Sequence, residues 1–149
     1  MTVTAVKALD EMYAVFKTGI DSYAFTDFDY NIFWDDEESD TYKDSNDIIF
    51  RVKHFIVRQQ QDTFATSSHE RQFTTVGLLT VSIYVPRLVS NGQSLTREIA
   101  NYVRSLYIES TESGVWFRDQ MISTTTKQYD PNYYHTAVSV TYEYNELLA

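Results

Sequence analysis

The sequence predicts a single α+β domain across residues 1–149, in the order helix, three strands, helix, two strands. Its sheet is mostly antiparallel, and both helices pack on one face. Three runs carry that reading. Leu78-Leu79-Thr80-Val81-Ser82-Ile83-Tyr84-Val85 alternates inward and outward positions and is stopped by Pro86, the pattern of a half-buried strand. Leu95, Ile99, Tyr102, Val103 and Leu106 then recur at helical spacing along one face. Tyr134, Thr136, Val138, Val140, Tyr142 and Tyr144 keep an unbroken alternation, which is a second long strand.

The remaining elements follow in order. Val6, Leu9, Tyr13, Phe16 and Ile20 lie three or four residues apart and predict a first helix that buries this stripe. Thr2 or Thr4 can cap its start, and Gly19 can end it in a left-handed conformation. One short stripe without sustained heptads argues for a helix lying on a sheet rather than a coiled coil. Tyr23–Trp34 is aromatic and strand-prone, with Phe28, Tyr30, Ile32 and Trp34 on one parity. Asp35–Asp47 carries seven acids and one lysine, a density that repels itself and predicts an exposed, mobile loop.

Strand character resumes over Ile48–Arg58. Phe50 and Val52 share one parity there, and Phe55 and Val57 the other. A bulge near His54 reconciles them, and so does burial on both faces. Gln59–Gln72 reads as a second polar loop. Phe73–Val85 is a strand with Leu79, Val81, Ile83 and Val85 inward, and Gly77 within it signals a bulge or a close backbone approach. Asn91-Gly92 turns the chain, Ser94 caps the second helix, and that helix runs to about Tyr107. Val115–Thr126 and Tyr133–Tyr144 complete the sheet, joined by a turn at Asp130-Pro131-Asn132. The expected core is Leu79, Val81, Ile83, Ile99, Val103, Leu106, Val138 and Val140.

Composition limits function. A chain of 149 residues buries about 68–70% of its unfolded surface, enough for a real core. A net charge of −9 argues against phosphate binding, which requires clustered Lys and Arg. No cysteine means no disulfide and no thiolate metal site. No apolar run approaches the roughly 20 residues that span a bilayer, which predicts a soluble protein made inside the cell. The 12 Tyr, 9 Phe and 2 Trp suit either a β-rich core with Tyr on its solvent face or a surface for association.

Catalytic and metal-binding patterns are thin. Calcium loops alternate their carboxylates and turn on a glycine. Asp35, Asp36, Glu37 and Glu38 are consecutive, and their loop contains no glycine. His54, His69 and His135 show neither helical pairing nor a zinc spacing. No Gly-x-Ser-x-Gly elbow and no glycine-rich phosphate loop occurs. Arg51, Lys53 and Arg58 recur beside Phe55 as a small positive stripe. That is weak evidence for nucleic acid in so acidic a chain, and equally suits a charged face that balances the acidic loop across a subunit contact. No cofactor is expected.

Taken together, the N-terminal helix, Asn31-Ile32-Phe33-Trp34-Asp35, the variable loop, Ile49-Phe50-Arg51-Val52 and the Gly77–Pro86 strand with its following loop and helix form a wider pattern. Two terminal strands with an aromatic tail complete it. The whole resembles the tail terminator proteins of long-tailed bacteriophages. That resemblance implies a structural virion protein that caps the tail tube as a ring, a hexamer, and offers a joining surface to the head. Its partners would be further copies of itself, the tail tube protein and a neck or head-completion protein, with DNA only passing through the lumen and no membrane involved. A neutral or acidic lumen would let phosphates slide, and the −9 chain suits that. The interface candidates are Asp35, Asp36, Glu37 and Glu38, the cations Arg51, Lys53 and Arg58, and Tyr134, Tyr142 and Tyr144 on a final strand read as an edge. A head–tail connector shares the architecture. A small carboxylate-dependent enzyme and an acidic adaptor are the other classes left open.

Overall fold

The computed structural model describes residues 3–23, 29–35, 47–62, 71–87, 91–109, 114–124 and 133–148. Its elements are α1 (Ala5–Asp21), β1 (Tyr30–Trp34), β2 (Ile48–Gln61), β3 (Arg71–Pro86), α2 (Gly92–Glu109), β4 (Val115–Thr124) and β5 (Tyr133–Leu148). The five strands form one sheet in the order β1-β2-β3-β5-β4. Every pairing is antiparallel except β1 with β2. The fold is therefore the α+β class read from the sequence, in the same element order. A parallel neighbour cannot be reached by a hairpin, which accounts for the long connection between β1 and β2. Residues 36–46 of that connection, with the mobility expected of them, lie outside the described residues, as do 63–70 of the second polar stretch.

Register decides which side chains meet. Val52, Val81, Val138 and Ile122 are successive partners across the sheet, and Phe50, Ile83 and Thr136 make the next row. Both rows face the helices, and the core cluster combines them with Met12, Phe16 and Ile20 of α1 and Ile99, Ala100 and Val103 of α2. The expected strand parities hold, and Leu79, Val81, Ile83, Val138 and Val140 are fully buried. Two tyrosines of α2 tie the helices together. Tyr102 donates to the Gly19 carbonyl at 2.6 Å and Tyr107 to the Met12 carbonyl at 3.1 Å.

Several local expectations change. The first helix is rotated from the predicted stripe: Ala8, Met12, Phe16, Gly19 and Ile20 face inward, whereas Val6 is 74% exposed. Small Ala8 and Gly19 let α1 approach its neighbours, and the apolar stripe could not show that. Thr4 does cap the helix, accepting from the Lys7 N–H at 3.2 Å. Gly19 does not end it. The helix runs on to Asp21, and Gly19 instead makes room for Leu106, which a Cβ there would meet at 2.3 Å. Glu146, at the far end of β5, accepts from the Ala5 N–H at 3.2 Å and places a carboxylate at the helix N-terminus.

Ser94 lies within α2 rather than at its start. The Asn91 carbonyl accepts from Leu95 N–H at 3.0 Å, with Asn91 left-handed at φ 62°. The bulge in β2 falls between Ile56 and Arg58, not at His54. β2 also continues to Gln61 and β3 begins at Arg71, so both strands extend into the stretch read as loop.

Gly77 lies beside that bulge. A Cβ there would meet the Tyr142 ring at 2.2 Å and the Phe55 carbonyl oxygen at 2.6 Å. The close-approach reading of this glycine is the right one. Gly77→Ala should destabilise the fold by about 1–3 kcal/mol, because a wedged ring and a backbone atom must both move. Gly19→Ala should cost less, since only the end of one leucine obstructs it. Ile83→Ala, a truncation in the middle of the core, should cost about 2–5 kcal/mol. Urea unfolding monitored by circular dichroism measures all three, and a Gly19→Ala cost above that of Gly77→Ala would contradict the packing described.

Candidate assembly surface

The helices cover one face of the sheet. The other carries the outward-pointing residues of β2, β3, β5 and β4 and has no helix on it among the described residues. Its rows can be read across the strands. Arg51, Ser82, Ala137 and Ser123 form one, and Lys53, Thr80, Ser139 and Met121 the next. Phe55, Leu78, Thr141 and Arg118 follow, then Arg58, Val76, Glu143 and Trp116. The centre of this face is small and hydroxylated. The cations lie toward β2, and large apolar groups lie at both margins.

Arg51, Lys53 and Arg58 thus share one face, as the sequence suggested, with Lys53 and Arg58 exposed. On the β4 side Arg118 is bridged to Glu143 at 3.0 Å. The tyrosines do not join them. Tyr142 and Tyr144 are buried on the helix side, with their rings stacked at 6.2 Å. β5 lies between β3 and β4, so the final strand is not an edge. Alternation gives the parity of a strand but not its place in the sheet. Tyr134 is half-buried beneath the Arg87 guanidinium, 5.1 Å from its ring centre. Asp36, Glu37 and Glu38 lie outside the described residues.

The sequence reading missed the apolar groups at the margins. Phe55, Ile56 and Val57 are consecutive in β2, and Phe55 and Val57 are 54% and 65% exposed. Their split parity suggested a bulge or burial on both faces; a bulge is present, and β1 pairs with β2 only as far as Val52, so the strand projects beyond it. On β4, Trp116 and Met121 are 50% and 64% exposed, on the helix-free face. A register shift between Arg118 and Met121, with Asp119 at φ 53°, kinks that edge.

Asp35 serves a different purpose from a contact arm. Its carboxylate accepts from the Tyr13 hydroxyl, lies 2.6 Å from His54 Nδ1, and accepts the His54 backbone N–H at 3.0 Å. It thereby caps the backbone of β2 two residues beyond Val52, the last partner of β1. Burial, and then the hydrogen bond to Asp35, push the Tyr13 hydroxyl well above the usual tyrosine range. Burial alone raises Tyr107, and burial chiefly moves Tyr142 up to about 12. His135, stacked on Tyr84 at 4.6 Å, is lowered by burial. Among the described residues no three His, Cys, Asp or Glu side chains converge to hold a metal, and no helix is long and apolar enough to cross a membrane.

No family model and no curated protein matches the chain. A solved structure known only by a sequence identifier superposes with a TM-score of 0.55 at 13% identity, over 91% of this chain and 94% of that one. That likeness defines a shared α+β fold and no activity.

Two measurements follow. Asp35→Ala removes the acceptor of both the His54 N–H and the Tyr13 hydroxyl, and should destabilise the fold by about 1–3 kcal/mol. Tyr13→Phe loses the hydroxyl's contacts with Asp35 and with His54 Nδ1 but leaves both Asp35–His54 contacts in place, and should cost less than Asp35→Ala. The raised tyrosines set the alkaline limit. An unfolded tyrosine ionises near pH 10, so between about pH 10 and 12 the folded chain holds protons that the unfolded chain has released. Stability should be undiminished by these groups below about pH 10 and fall as pH rises through about 12. Chemical denaturation at stepped pH would read this, and constant stability across that window would contradict it.

Proposed function

We propose that this chain is a structural virion protein of a long-tailed bacteriophage, one that stops tail-tube growth by closing a ring on the tube tip and then presents the head-joining surface. The observation that carries the reading is the sheet face that bears no helix among the described residues and has large exposed apolar groups at its margins. Single exposed apolar residues are ordinary on a protein surface, but groups gathered at the borders of one open face suit association. The resemblance of element order and residue class over nearly the whole chain supplies the rest. Asp47 belongs to the acidic connection proposed to contact partners on assembly, and Asn31 donates to it at 3.0 Å.

Ring contacts of modest area with charged rims leave subunits separate in dilute solution and strengthen when the tube presents a matching template. A monomer in isolation is therefore consistent with the role. The test removes the protein from an assembling phage. Overlong tubes without heads are expected in electron micrographs. Tails of normal length joined to heads would overturn the proposal, and normal-length tails without heads would move the role to the head–tail connector.

A further inference from the structure

Resting on that ring reading, we infer that neighbouring copies join edge to edge, the distal part of β2 in one copy pairing with β4 of the next. β1 ends at Val52 and the Asp35 carboxylate takes the His54 N–H, so the open edge of β2 begins at Phe55. β4 is the other border of the sheet. Soluble proteins guard such edges with charge, proline or very short strands. Here the β2 edge exposes Phe55, Ile56 and Val57 in succession, and the β4 edge exposes Trp116 and Met121.

The occupant of each edge is a second copy for three reasons. First, direction fits. Each of the three steps from β2 to β3, β5 and β4 is antiparallel, so β2 and β4 run opposite ways. A second copy placed beside the first in the same orientation then meets it antiparallel, the more stable pairing, and all helices stay on one side. Second, length fits. β4 has 10 residues, and the part of β2 past the Asp35 contact runs from Phe55 to Gln61, so most of β4 finds a partner. Third, charge fits. The β2 edge carries Lys53 and Arg58, while at the β4 edge Arg118 is bridged to Glu143 and Asp119 stands exposed beside it. The join is heterologous, because the two surfaces differ, and such joins close into rings when the rotation between copies allows it. The positive stripe then lies at the subunit joins.

The chain contains no cysteine, so introduced thiols report a single contact. In an antiparallel join the end of β2 lies opposite the first half of β4, so Gln60→Cys marks the β2 edge and Arg118→Cys the β4 edge, both at exposed positions. Each variant, checked for native circular dichroism, is treated with a short bis-maleimide during assembly on tail tubes. Q60C alone and R118C alone should remain monomeric on denaturing gels. Their equimolar mixture should give a dimer, and the double variant a ladder that ends at the ring. Self-cross-linking of either single variant would mean like edges meet and would overturn the inference. A double variant that caps tubes normally yet gives no ladder would also overturn the edge join while leaving the ring reading intact. Loss of both capping and ladder, with the unmodified protein likewise failing to cap, would overturn both.

Discussion

The placement of one ring governs much of this structure. Tyr142 leaves β5, lies across the vacant position at Gly77 of β3, and brings its hydroxyl to 3.4 Å from the Phe55 carbonyl of β2. At that length the hydrogen bond is weak, so the ring's packing dominates. Three strands are held in register by a side chain that only a glycine beneath it allows. The bulge between Ile56 and Arg58 sits beside this contact, and there β2 turns from a buried strand into a projecting one. Core packing and surface architecture thus meet at one place.

The many tyrosines take on a meaning that composition alone could not assign. The solvent face was one of two expected places for tyrosine, yet the middle of that face, from Thr80 and Ser82 to Ala137, Ser139 and Thr141, is small and mostly hydroxylated. Whereas Tyr84 stacks on His135 on the opposite face, Tyr102, Tyr107 and Tyr142 lie on the helix side, where each buries its body and directs its hydroxyl to a backbone carbonyl. Tyr102 and Tyr107 do this between the helices, and Tyr142 within the sheet. A core built this way is held by directional contacts at its polar tips as well as by apolar packing. The outer face keeps a low, polar centre that leaves its margins prominent.

What the sequence made legible was whatever repeats. Alternation gave the inward residues of β3 and β5, helical spacing gave α2, and the proline at 86 gave the end of β3. What stayed hidden depends on residues far apart in the chain. Tyr13, Asp35 and His54 are separated by 22 and 19 positions, and no periodicity connects them. The exposed margins were hidden for another reason. Phe55, Ile56 and Val57 look like core residues, and only the early end of β1 shows that nothing in the described chain covers them. The α1 stripe misled because its inward face is lined by Ala8 and Gly19, which carry little hydropathic signal.

The position of β5 has a consequence for how the molecule is made. It is last in the chain order and yet lies between β3 and β4, pairing with both. While β5 is still within the ribosome, β4 has no neighbour in this sheet and β3 has only β2. The far end of β5 also supplies Glu146 to the start of α1, so the first helix cannot be fully docked until the final strand emerges. Contacts between β5 and the elements before it must wait for β5 to be made, which slows folding and leaves strand edges exposed meanwhile. Such a chain is poorly suited to folding piecemeal during translation. Until β5 emerges, its partners β3 and β4 hold edges of the sheet unpaired.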